Sequence, residues 1–280
     1  MKILVTGANG FIGSHVVQYL AENTDNEVIA IDLNSSNIKL LPNVTFIKLD
    51  LFKSSEEPDL ESILGYPDII IHLAYRNGFI HTSISHYIDL PAHIKLIEKF
   101  IKFKNVKSIT TMGTMHEIGI YEGVVTANTP CNPINNYGIA KNALRQHLEK
   151  FFYDYPLKWL RAYYIYDYSG TGNSIFSKIL QSEKKGIEQF KLNDGMGKYD
   201  FLTIEELSEQ IVAASLQNEF NGIINVCSGN ALSLKDAVNN FKRILNLKIK
   251  YIFGAYPRRK YDSSVIYGDN SIIQKILSLK

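Results

Sequence analysis

Eight residues near the start of the chain, Thr6-Gly7-Ala8-Asn9-Gly10-Phe11-Ile12-Gly13, restrict the fold more than any other stretch. They follow a continuous β-favouring run, residues 2–6 (KILVT). They lead into residues 12–22, where Ile12, Val16, Val17 and Leu20 recur at helical spacing. A strand that feeds a helix through closely spaced glycines is the geometry in which a backbone closes on a pyrophosphate. Glycines permit the tight turn and the close approach, and the helix N-terminus offers free N–H groups and a positive dipole. The loop alone is a weak signal; its place between strand and helix strengthens it.

The pattern repeats along the first half of the chain. Apolar runs at 27–31, 44–49 and 69–73 end at Asp32, at Asp50-Leu51 and at Ala74. Residues 91–103 read as a helix with Pro91 in its first turn, where a missing N–H costs nothing. A strand near 107–112, a helix from about 137 to 153 and a strand near 157–164 follow. Alternating strands and helices predict right-handed βαβ units and an α/β fold, a Rossmann-type doubly wound parallel sheet. Beyond Tyr168 the pattern loosens into a loop (169–173), a helix (174–185), a helix at 203–216, a strand at 222–226 and a helix at 233–246. Thr203 and Glu206 make a capping box for the second of these helices. The division expected is residues 1–167 for a dinucleotide-binding domain and 168–280 for a small C-terminal α/β substrate lobe, with elements free to interleave.

Composition narrows the function classes. Lys+Arg 30 against Asp+Glu 28 leaves a net charge of +2 and no charged block, which argues against a nucleic-acid partner. With 45% hydrophobic and 21% charged residues the chain is globular, not disordered. No apolar run reaches the roughly 20 residues of a membrane span. The N-terminus reads as a strand where a signal peptide would carry its apolar region, so a cytoplasmic location is expected. Cys131 and Cys227 make no disulfide framework and lack metal-ligand spacing, and no second histidine follows His116-Glu117 at zinc-motif spacing. No metal is expected.

Two further features carry chemistry. Asp32 ends the second strand roughly 20 residues beyond the loop, where a carboxylate accepts hydrogen bonds from an adenosine ribose. No base stands among Leu33-Asn34-Ser35-Ser36-Asn37, which favours NAD(H) over NADP(H), whose 2′-phosphate wants an arginine. Asp50 and Leu51 then lie near the adenine. Tyr137 and Lys141 open a helix at i and i+4, so phenol and ammonium share one face. Tyrosine is a poor acid–base catalyst near neutral pH, and a neighbouring ammonium is expected to lower its pKa.

The glycine loop, Asp32, His72-Leu73-Ala74 at the end of the fourth strand and Tyr137-x-x-x-Lys141 occur in the order of one family. The chain resembles the extended short-chain dehydrogenase/reductases, in their nucleotide-sugar epimerase/dehydratase/reductase branch, over essentially all 280 residues. The resemblance implies cofactor contacts at Gly7, Gly10, Phe11, Ile12, Gly13, Asp32, Asp50, Leu51, Leu73, Ala74, Tyr75 and Tyr137, with Lys141 also holding the nicotinamide ribose. It places the family's Ser/Thr at Thr114, five residues before Gly119, with Thr110 and Thr111 as competitors. Thr114 would position the reacting oxygen and Tyr137 would be the acid. His116, Tyr164 and Arg258 become substrate contacts, the last within Pro257-Arg258-Arg259-Lys260-Tyr261-Asp262, which resembles a segment gripping the nucleotide-sugar diphosphate. Met115 and His116 replace the Asp-Glu of the 4,6-dehydratases. Met112–Gly119 looks like reductases of dTDP-4-keto-6-deoxy sugars, which make 6-deoxyhexoses such as fucose or 6-deoxytalose for surface polysaccharide. The alternative is a 4-epimerase with retained NAD; a non-catalytic regulator has no use for Tyr137 and Lys141. A homodimer built on two helices per subunit is the family's expectation.

Overall fold

The computed structural model describes residues 1–258 and 262–279. In chain order its strands and helices are β1 (Lys2–Thr6), α1 (Phe11–Asn23), β2 (Glu27–Asp32), β3 (Val44–Lys48), α2 (Leu60–Ile63), β4 (Ile69–His72), α3 (Ser85–Ile101) and β5 (Ser108–Thr114). There follow β6 (Gly123–Val125), α4 (Asn136–Phe151), β7 (Leu157–Ala162), β8 (Tyr164–Tyr166), α5 (Ile175–Lys184), β9 (Gln189–Lys191) and β10 (Lys198–Thr203). The chain continues with α6 (Ile204–Leu216), β11 (Gly222–Val226), β12 (Ala231–Ser233), α7 (Leu234–Ile244), β13 (Lys250–Ile252), β14 (Val265–Gly268) and α8 (Ser271–Leu277).

Seven parallel strands form the main sheet in the order β11-β7-β5-β4-β1-β2-β3. Strand side chains alternate, and both faces are buried. Ile3, Val5, Ile69, Ile71 and Leu160 pack on one side with Val16, Leu20, Leu207 and Ile211 of α1 and α6. Leu4, Ile70, Ile109 and Trp159 pack on the other with Leu96, Phe100, Leu144 and Leu148 of α3 and α4. Each such side chain contributes roughly 1.5–3 kcal/mol on burial, which explains why the strands read as unbroken apolar runs. The strand order reverses between β1 and β4, the place where open α/β sheets hold ligands at the carboxyl ends of their strands.

A second sheet, β12-β10-β14-β6 with β8 beside β10, lies beyond that end. The elements interleave: β11 returns to the main sheet, while β6 from the first half pairs with β14. A third small sheet pairs β9 with β13. Among the described residues no helix is long and apolar enough to cross a membrane.

Three boundaries differ from expectation. The strand expected at 107–112 runs to Thr114, because β7 continues to pair with it as far as Ala162. The strand expected at 157–164 breaks at Tyr163, which is buried and whose hydroxyl donates to Asn225 Oδ1; Tyr164 then joins β10 instead. The helix containing Pro91 starts at Ser85, so the proline sits inside it. Ser85 Oγ accepts from Asn77 Nδ2 at 3.0 Å and His86 Nε2 meets the Ile80 carbonyl at 3.0 Å. Those anchors hold the added first turns despite the hydrogen bond the proline cannot make.

Candidate active site

The glycine loop is shaped by close backbone approach. Gly7 has φ +65°, and a Cβ there would lie 2.6 Å from Ala74 Cα. A Cβ on Gly13 would lie 2.0 Å from the Gly7 carbonyl oxygen. The loop therefore packs on the chain leaving β4, and α1 packs on the loop. Gly10 caps α1 with no side-chain hydrogen bond, so the first N–H groups of the helix are left for an anion. Phe11 and Ile12, both half-buried, open that helix. Asp32 accepts from the backbone N–H of Asn9 at 2.9 Å and of Leu33 at 2.7 Å, which sets its carboxylate at the loop's edge. Asn9 in turn holds the segment after β2, donating to Asn34 Oδ1 and accepting from Asn37 N, each at 2.7 Å. Asp50 pairs with Lys53 at 3.3 Å, and Leu51 is buried beneath it. A dinucleotide fits these residues: the loop is a cradle that a Cβ would fill, and a carboxylate stands beside it.

On the other side of β4, Asn135 caps α4 by accepting from Gly138 N at 2.9 Å. The Tyr137 N–H donates to the His81 carbonyl at 3.0 Å. A Cβ on Gly138 would come within 2.2 Å of the His116 carbonyl, so α4 sits directly on the short helix 115–117. Lys141 lies one turn beyond Tyr137, buried, and donates to the Met112 carbonyl at 2.7 Å. Thr114 ends β5 and its side chain hydrogen-bonds the Tyr137 phenol. Thr110 and Thr111 lie lower on the same strand, both buried.

Burial raises the Tyr137 phenol above its ordinary range; the Glu117 charge adds to the rise and the Thr114 hydrogen bond opposes it. This corrects the expectation that Lys141 lowers the phenol's pKa: loss of water disfavours the phenolate more than anything nearby favours it. Lys141 is itself pushed down to about 7 by burial, against the charge of Glu117.

Aromatic rings surround the phenol. His81 stacks on Tyr137 at 5.5 Å between centroids, His86 lies 5.3 Å away, and Tyr75 meets it edge-on at 5.6 Å. The His116 ring is 4.1 Å from His81. His81 and His86 lack a sequence signal, because they stand in no fixed spacing to Tyr137. Glu117 had one: Thr114-Met115-His116-Glu117 is a capping-box pattern, and the structure forms that box.

His116 and Tyr164 line one pocket with Met115, Asn135, Asp262 and Ser263. Arg258 is not among its lining residues; its Nε pairs with both carboxylate oxygens of Asp194, at 2.8 and 2.9 Å. Arg259, Lys260 and Tyr261 lie outside the described residues. Leu73 and Ala74 both donate backbone N–H groups to Thr6 Oγ1, which ties the end of β4 to the end of β1 beneath the glycine loop.

Comparison with known proteins gives the same outline. The model of the NAD dependent epimerase/dehydratase family matches residues 3–227. A protein of Aggregatibacter actinomycetemcomitans, dTDP-6-deoxy-L-talose 4-dehydrogenase (NAD(+)), is 41% identical over 272 residues, covering 96% of this chain and 99% of that one. A Bacillus subtilis protein described as an uncharacterized UDP-glucose epimerase is 31% identical over 231 residues, 76% of this chain and 72% of its own. Among solved structures, UDP-glucuronic acid 4-epimerase from Bacillus cereus, in complex with UDP-glucuronic acid and NAD, superposes with a TM-score of 0.82. It is 24% identical, and the match covers 100% of this chain and 94% of that one.

Proposed function

The chain belongs to the NAD dependent epimerase/dehydratase family, and from that membership we propose that it is a reductase of a dTDP-linked 4-keto-6-deoxy sugar. The observation that carries the reading is the convergence of Thr114, Tyr137 and Lys141 at the carboxyl end of β5, two strands from the glycine loop. The 41% identity to a dehydrogenase named for carbon 4 of a dTDP-6-deoxy sugar supports the same carbon here. The product is then a 6-deoxyhexose such as 6-deoxytalose or fucose, destined for surface polysaccharide and made in the cytoplasm.

NAD(H), when bound along the glycine loop, supplies the hydride. Asp32 and the absence of a base in residues 33–37 favour it over NADP(H). Tyr137 donates a proton to the sugar C4 oxygen, and burial suits this task by keeping the phenol protonated until the oxygen needs it. The Thr114 hydroxyl holds that oxygen beside the phenol, which removes orientational freedom from the step. The Lys141 ammonium is assigned the ribose of the cofactor, and its charge stabilises the phenolate left after proton transfer. Leu73, Ala74 and Tyr75 are assigned the nicotinamide side of the crevice, and Asp50 and Leu51 the adenine. His116 and Tyr164 are assigned the sugar. Arg258 is assigned the diphosphate, which competes with Asp194 for its guanidinium.

A homodimer through α3 and α4 belongs to the same proposal. Ile84 and Ile88 are each 64% exposed one turn apart, Ile139 is exposed on α4, and the Tyr87 hydroxyl joins the two helices through Asn136 Oδ1 at 3.2 Å. A second copy of the same surface gives these side chains an apolar cover.

The test mixes the purified protein with NADH and a panel of nucleotide-linked 4-keto-6-deoxy sugars. The reading expects cofactor oxidation matching sugar reduced, mole for mole. Nucleotide-linked 4-hydroxy sugars run in parallel decide the alternative: interconversion of their 4-epimers, with no oxidation of NADH by any 4-keto sugar, would overturn it in favour of the epimerase. Tight dinucleotide binding with no turnover would leave a regulator.

A further inference from the structure

Lys141 stands under an aromatic ring. Its Nζ lies 3.8 Å from the centroid of Tyr75, and among the described residues its hydrogen-bond acceptor is the Met112 carbonyl at 2.7 Å. We propose that Tyr75 is a positioning residue for Lys141, its ring face holding the ammonium charged and aimed at the end of β5. The importance of Lys141 to catalysis rests on the reductase reading; the contact itself does not.

The ring is fixed from behind. His93 of α3 stacks on it at 4.9 Å between centroids and His86 at 5.6 Å. His93 Nδ1 is 3.2 Å from His72 Nε2, and His72 Nδ1 is 2.8 Å from Thr6 Oγ1. Thr6 Oγ1 accepts the N–H groups of Leu73 and Ala74, so its own hydrogen points to His72 Nδ1. That order puts the His72 hydrogen on Nε2, where it donates to His93. Burial lowers both imidazoles, His72 to about 3, so the His72–His93 pair is neutral and does not repel the lysine. The other ionisable group acting on Lys141, among the described residues, is Glu117 from the short helix, which favours the ammonium.

The ring and not the hydroxyl makes the contact. Tyr75 Oη is buried with no hydrogen-bond partner among the described residues. A dehydrated ammonium over an aromatic face is held strongly enough to move its titration by about one pH unit. For a lysine that burial would otherwise neutralise near pH 7, that shift keeps the charge in place across the physiological range.

The experiment follows the side-chain nitrogen of Lys141 by NMR in the full-length 15N-lysine-labelled protein, the resonance being assigned by its loss in Lys141→Met. Tyr75→Phe keeps the ring and is expected to titrate with the unsubstituted protein. Tyr75→Leu, and 3,4,5-trifluorophenylalanine introduced at position 75, remove the negative ring face and are expected to titrate about one unit lower. The fluorinated ring preserves shape, so it decides the matter if the leucine variant does not fold. Titration of the fluorinated or leucine variant alongside the parent overturns the proposal, as does a fall in Tyr75→Phe equal to that in the fluorinated protein. No substrate enters the measurement, so failure to turn over any nucleotide sugar overturns the reductase and leaves this result standing.

Discussion

Glu117 and Thr114 fasten each other: the carboxylate accepts the Thr114 N–H at 2.7 Å, and Thr114 Oγ1 accepts the His116 N–H at 3.3 Å. The same fully buried carboxylate accepts from Trp159 Nε1 at 3.0 Å and Arg161 Nη2 at 3.3 Å. The place of the Thr114 hydroxyl thus depends on an interior ion pair. Glu117→Ala strands the fully buried Arg161 guanidinium and is expected to cost about 3–5 kcal/mol in urea unfolding. Glu117→Gln, which keeps an acceptor, is expected to cost less. Equal stabilities for the alanine variant and the parent would refute this account of the site's frame.

Tyr137→Phe removes the proton donor and leaves the ring packed against His81 and Tyr75. The expected loss in kcat is about 10²–10⁴-fold, with NAD affinity near the parent's by calorimetry. Retained turnover would reassign the acid, and His116 would then be the next residue to change.

Lys158 on β7 is fully buried, and neither its Nζ nor the Oγ1 of Thr110, its neighbour on β5, has a hydrogen-bond partner among the described residues. Burial pushes the lysine down to about 8 from 10.5. The folded state therefore holds its proton less tightly than the unfolded chain. The penalty is full below pH 8 and fades as pH rises to 10.5, so stability rises with pH across that window. Lys158→Met removes both the penalty and the rise, and is expected to stabilise the protein by on the order of 3 kcal/mol at pH 7. Denaturant midpoints at pH 7 and pH 10 check it, and an unchanged difference between the two pH values would count against it.

The double variant Ile84→Glu, Ile88→Glu puts like charges on the face assigned to the second subunit. Light scattering is expected to report a monomer for the variant and a dimer for the parent. A parent that is monomeric at working concentrations contradicts the assignment outright.

What could be read in advance follows from where the physics is local. The glycine loop, Asp32 at its strand end and the Thr203–Glu206 capping box each depend on a few consecutive residues, and each forms as expected. The early start of α3 was hidden because Pro91 is a strong local signal, overridden by anchors at Asn77 and Ile80. The break at Tyr163 depends on Asn225, 62 residues away. Likewise the stacking of His81 on Tyr137, the seat of Lys141 under Tyr75 and the pairing of Arg258 with Asp194 join distant segments. Residue type suggests none of these pairs. The Tyr137 shift runs against its spacing for a related reason: spacing brings an ammonium one turn away, whereas desolvation depends on everything packed around the phenol.

The most direct test follows the hydride. The protein is incubated with NADH carrying deuterium at both C4 positions and a dTDP-4-keto-6-deoxy sugar, and the product is examined by NMR. The account predicts deuterium at sugar C4, one for each cofactor oxidised, formed about 10²–10⁴-fold more slowly by Tyr137→Phe. Recovery of the keto sugar unreduced, with the label still on the cofactor, would contradict it.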